Sequence, residues 1–152
     1  MFSLYNLLKF LHILAVIVWM GGMLVMVILS TRFRQTRDPA VMRALSEHGR
    51  FLGMTVFGPS VGIALITGIG MVQVGRLSFG AFWITWGMTG LVLSLILGGA
   101  LAGRMAAKLS KQVAAGEIDA ETVAATQGRI ALVGILNLLV LASVVFVMVF
   151  KP

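Results

Sequence analysis

The chain is 152 residues long, 59% hydrophobic and only 11% charged, with a mean hydropathy of +1.03, a composition far outside that of soluble domains. It contains no cysteine, which excludes disulfides, iron–sulfur clusters, thiolate metal sites and nucleophilic thiols. The formal charge of +7 does not point to nucleic acid, because the Lys and Arg residues lie between apolar segments, where cationic loops set membrane topology.

Apolar runs long enough to cross the hydrocarbon, which takes about 20 helical residues, cover residues 5–30, 51–74, 79–103 and 130–150. The expectation is an all-α membrane protein: a single domain forming a four-transmembrane-helix bundle. The first run is too long for a cleavable signal peptide and ends without a small-residue cleavage site, so it is expected to stay in the chain. Helical positions three, four and seven apart share a side, so Lys9, His12, Trp19, Met23 and Met26 line one face of this first helix. That face is expected to turn inward, since lipid gives neither Lys9 nor His12 a partner. Lys9 can snorkel to the interface, whereas His12 lies about 10 Å deep from the helix end. An ionisable group at such depth is rare and usually faces a cofactor, a protein interior or a water-filled cavity, which makes His12 the leading functional candidate.

The first loop carries Arg32, Arg34, Arg37, Arg43 and Arg50 against Asp38 and Glu47, and reads as helical after an Asp38 cap followed by Pro39. His48, just before the second span, falls near the far membrane face, so it cannot share one iron with His12. On the second span Gly58 and Gly62 form a GxxxG pair, and Thr67 and Gly68 fall at the depth of His12. Residues 75–78 form a short second loop with Arg76 as its one charge. The third span has no ionisable residue; it carries Gly80, Gly87, Gly98 and the pair Gly99 and Gly103, and it places Trp86 to Met88 at the His12 depth. Close helix packing is the plain reading of these glycines, and clearance for a flat ring beside Gly68 and Gly87 is the other.

The third loop, with its flanks, carries Arg104, Lys108, Lys111 and Arg129 against Glu117, Asp119 and Glu121, with a break near Ala115 and Gly116 and an Asp119 cap. The fourth span holds Asn137, expected to donate a hydrogen bond between helices, and Ser143 at the His12 depth. Lys/Arg enrichment marks the first and third loops as cytoplasmic, which puts both termini on the outer, periplasmic side.

Two readings of His12 follow. It can simply hydrogen-bond Thr67, Ser143 or a water. It can also ligate haem iron, with Met88 as second axial ligand and with Lys9 and Arg76 pairing with the propionates. Met20, Met23 and Met26 repeat every third residue and suit Cu(I), which makes copper the alternative metal. No paired carboxylates, phosphate-cradling loop or Ser-His-Asp set can be assembled, and the acids all lie on the cytoplasmic loops.

The run Lys9-x-x-His12 followed by Trp19-x-Gly21-Gly22 resembles the first transmembrane helix of the CopD and HemJ type of bacterial membrane proteins. The second span, with Gly58-Pro59 and Thr67-Gly68, resembles the uncharacterised integral membrane branch of that grouping. HemJ-like proteins are haem b-binding protoporphyrinogen oxidases, and CopD-like proteins are associated with copper resistance or uptake. The resemblance implies that His12 is the haem-associated histidine and that Trp19 with Gly21 and Gly22 forms the packing turn beside it. The HemJ pattern also carries a basic residue in the third span, which this chain lacks. The resulting expectation is a haem b-binding redox or electron-transfer protein of the bacterial inner membrane, a possible oxidoreductase, with quinol or another membrane redox protein as partner and homo-oligomers allowed. A copper-handling protein and a non-catalytic subunit of a larger membrane complex are the competing expectations.

Overall fold

In the computed structural model, residues 3–35, 39–116 and 119–151 are described. Among them, four helices are long and apolar enough to span a membrane: Leu4–Arg32, Glu47–Val74, Phe82–Ala115 and Glu121–Phe150. The chain is thus a multi-pass, all-α membrane protein. Helix α1 (Leu4–Arg34) and helix α6 (Ala120–Phe150) have 31 residues each, about 46 Å of rise, so each overruns a hydrocarbon core about 30 Å thick. The second span joins α2 (Pro39–Leu52) to α3 (Gly58–Val74), and the third joins α4 (Phe82–Ser94) to α5 (Gly103–Ala115). The Asp38 cap expected before α2 lies outside the described residues.

Each joint is a widened π turn. In the first, Gly53–Phe57, the Gly58 N–H reaches back five residues to the Gly53 carbonyl. Pro59 accounts for it: proline has no N–H and its ring collides with the carbonyl four residues back, so the helix widens just before it. The second, Leu95–Ala102, has the same five-residue bond from Gly103 to Gly98 but contains no proline.

The long helix contacts run in the order α3, α1, α6, α4, while α2 lies on α5. Tyr5 of α1 packs on Gly75, and Lys151 stacks 5.0 Å over the Trp83 ring at the start of α4, so both ends of the described chain lie at one end of the bundle, the terminal face. The opposite face carries exposed Arg32, Arg50, Arg104, Lys108, Lys111 and Arg129.

Small residues set the helix separations, as they must where solvent exclusion provides little drive. A Cβ on Gly90 would overlap Val144, one on Gly134 would come within 2.8 Å of Val27 Cγ2, and one on Gly70 within 3.2 Å of Leu8. The two GxxxG pairs behave differently. Gly62 and Gly99 meet nothing within 4 Å, and Gly58 and Gly103 meet only a carbonyl of their own span. Packing inside this chain therefore uses glycines outside those pairs, because the GxxxG faces turn away from the neighbouring helices. Large apolar side chains such as Ile66, Val149 and Phe10 point outward, where acyl chains solvate them.

Gly116 closes α5 in the left-handed region at φ 67, and its N–H returns to the Gln112 and Val113 carbonyls. Asp119 caps α6, accepting the Thr122 N–H at 2.6 Å, and this bond holds its carboxyl below the ordinary value.

Two predictions test this packing and capping. Gly90→Leu should lower stability in detergent by about 1–3 kcal/mol, whereas Gly62→Leu should change it by about 0.5 kcal/mol or less, both read by reversible unfolding. A carboxyl whose pKa falls on folding stabilises the fold above its unfolded value and loses that contribution as pH drops through the folded one. The protection of the Thr122 amide relative to its intrinsic exchange rate should accordingly fall only once the medium is acid enough to protonate Asp119, and Asp119→Ala should show low protection at every pH.

Candidate functional site

Helices α1 and α3 run antiparallel, which sets His12 against the Ala64–Gly68 turn. The His12 Nδ1–H donates to the Ala64 carbonyl at 2.8 Å, with Thr67 Oγ1 3.3 Å from the same nitrogen. The Thr67 hydroxyl is itself committed, donating to the Ile63 carbonyl at 2.6 Å. A carbonyl can only accept, so the proton sits on Nδ1 and a neutral ring keeps the lone pair on Nε2. Among the described residues no other hydrogen bond reaches the ring.

Gly68 is what lets the ring lie there. A Cβ at that position would stand 3.3 Å from His12 Cε1 and 3.5 Å from Nδ1. The space expected to clear a porphyrin face is thus taken by the imidazole itself. Thr67 and Gly68, matched to His12 by depth alone, are both brought to it.

The other residues fall out as follows. Trp19 is buried on the inward face of α1, about 10 Å of helix rise beyond His12. Lys9 is exposed one turn from Tyr5, and Arg76 is exposed beside Gly75 with a left-handed backbone at φ 49. Both cations therefore border the terminal end of the α1–α3 pair. Met88 is not brought to His12: it is 40% exposed on α4, and α4 is reached from α1 across α6. Its side chain faces outward. Ser143 instead accepts the Trp86 indole N–H at 3.3 Å. His48 bonds back to the Ala44 carbonyl at 2.7 Å, exposed beside the Gly49 that Met26 covers, and so stands at the opposite face.

No group of three or more His, Cys, Asp or Glu able to hold a metal occurs among the described residues. The donor set near His12 is therefore one imidazole nitrogen, oriented by a backbone carbonyl. Carbonyl-oriented imidazole is the usual state of a metal-ligating histidine, with the second nitrogen free to bind. Sequence reasoning missed the two π turns and the partner of Asn137, whose Nδ2 donates to Met23 Sδ at 3.5 Å. Pro59 signalled the first turn, while nothing local signals the second.

The ring orientation predicts its tautomer. Nitrogen-15 NMR of selectively labelled protein at neutral pH should show His12 protonated at Nδ1 and bare at Nε2. Gly68→Leu, which fills the seat, should remove that signature while Gly62→Leu keeps it.

Among known proteins, the family described as "Predicted integral membrane protein (DUF2269)" matches residues 6–152, and the chain belongs to it. No curated protein and no solved structure matches the chain.

Proposed function

We propose that this DUF2269 protein binds haem b through His12 and serves membrane electron transfer. The observation that carries the reading is the Nδ1 bond to the Ala64 carbonyl, which leaves Nε2 as a fixed, neutral donor inside a membrane span. The HemJ-like run Lys9-x-x-His12 followed by Trp19-x-Gly21-Gly22 supports it from the sequence side.

The residues present fit a group held by one imidazole nitrogen. Bound haem would supply one-electron redox chemistry at its iron. His12 would hold the iron, and the Ala64 carbonyl raises the basicity of the ring and stops it from turning. Lys9 and Arg76, exposed at the terminal end of the same helix pair, would pair with the propionates. Trp19 closes the inward side below. Met88, facing away on α4, would not hold the group.

Cation enrichment on the opposite face argues that it is cytoplasmic, which sets His12 in the periplasmic half of a bacterial inner membrane. Quinol dissolves in the same layer and is a fitting donor by solubility.

Absorption spectroscopy of the detergent-purified protein, expressed with haem supplied, tests the reading. A Soret band should be present, lost in His12→Ala and retained in Met88→Leu. A colourless wild-type protein, or an unchanged band in His12→Ala, sinks the proposal; stoichiometric copper without the band would replace it by the copper reading.

A further inference from the structure

The second π turn is the unexplained irregularity of the fold. Pro59 forces the first, yet Leu95–Ala102 widens with no proline to force it. What lies against it is Asn137 of α6: a Cβ on Gly98 would stand 3.0 Å from Asn137 Nδ2. Asn137 is 1% exposed, and its Nδ2 donates to Met23 Sδ of α1. A thioether only accepts, so the amide nitrogen must face Met23 and Oδ1 must face elsewhere. That Oδ1 is buried with no hydrogen-bond partner in the protein.

Ser94 Oγ is in the same condition, on a residue only 2% exposed. It lies between Gly90, which faces Val144, and Gly98, which faces Asn137, at four-residue spacing along one side of the helix. Other buried hydroxyls bond to the carbonyl one turn back, Ser60 at 2.7 Å and Thr67 at 2.6 Å. Ser94 makes no such bond. Asn137 lies about 20 Å of helix rise from the terminal end of α6, near mid-bilayer, where lipid cannot satisfy either atom.

We propose that Ser94, Asn137 and the wide turn form a binding site for one internal water molecule. The water donates one hydrogen to Asn137 Oδ1 and exchanges a second hydrogen bond with Ser94 Oγ. Bridging these residues, it holds the Leu95–Ala102 turn in its wide register, since water inserted at a helix ladder is an established cause of such distortion. A metal cation fits the site less well. Neither residues 79–103 nor residues 130–150 contain a carboxylate to balance the charge, and two side-chain oxygens are too few for an alkali or alkaline-earth ion.

The test uses the full chain in detergent micelles. Water cross-peaks should appear at the Asn137 side-chain amide and the Gly98 backbone amide in wild-type protein, and should vanish in Ser94→Ala. Ser94→Ala and Asn137→Leu should each raise the unfolding equilibrium constant about tenfold, and the double variant no further than the larger single, because each removes the same bridge. Absence of the wild-type cross-peaks overturns the proposal, as does full additivity of the two substitutions. Stabilisation by sodium chloride over choline chloride also overturns it and assigns the site to a cation. Should Asn137→Leu fail to fold, the wild-type cross-peaks and their fate in Ser94→Ala decide.

Discussion

Hydrocarbon offers no hydrogen bonds, so a polar group placed inside the four spans has to be satisfied by the chain itself or by something the chain encloses. That constraint arranges the interior of this protein. Ser60 and Thr67 turn their hydroxyls back onto α3, Ser143 meets the Trp86 indole, and His12 reaches across to the Ala64 carbonyl. Each bond fixes either a side chain to its own helix or one helix to another. The inter-helix bonds set where a side chain can point. Asn137 sharpens the case: its amide reaches α1 through the Met23 thioether and touches the third span at Gly98, so a single residue of α6 ties together three spans.

Close packing follows from the same solvent. With little hydrophobic drive between helices, contact area has to come from near approach of backbones. Gly90, Gly134 and Gly22 each receive a neighbour's side chain where a Cβ would collide, and Gly70 receives Leu8 where one would be tight. These glycines sit on the faces that join α1 to α3 and α6, and α6 to α4, so α1 and α6 form the middle of the bundle. The GxxxG pairs on the second and third spans stay outside that network. A motif defined by spacing identifies a face that permits close approach; the helix order decides whether another helix of the same chain occupies it.

The contrast between Thr67 and Met88 shows which parts of the site could be read from the sequence. Depth follows from counting residues at a fixed rise, and counting placed Thr67, Gly68 and Met88 level with His12. Azimuth needs a stripe of polar or small residues: Gly87, Gly90 and Ser94 form one on Phe82–Ser94 and are buried, which leaves Met88 facing out, and counting depth alone does not use it. The helix order α3, α1, α6, α4 was hidden, since lipid-facing and core-facing side chains are both apolar. Caps were plain by comparison: Gly116 and Asp119 act through local backbone chemistry that needs no tertiary context. Gly68 was singled out for the right place and a different task, because a glycine announces space but not what fills it.

The choice of a backbone carbonyl to orient His12 has consequences a side-chain partner would not have. A carboxylate in its place would add a buried charge, which lipid-depth surroundings penalise heavily. The Ala64 carbonyl adds none, yet it still fixes the tautomer and the ring plane. It is also present whatever side chain occupies position 64, so substitution there alters packing without deleting the acceptor. Control over the ring therefore passes to its seat, where Gly68 stands 3.3 Å from Cε1 as measured from the position a Cβ would take. A methyl group at that point would move the imidazole by a few tenths of an ångström, and a larger one would unseat it. The geometry of the candidate ligand thus rests on a position with no side chain at all.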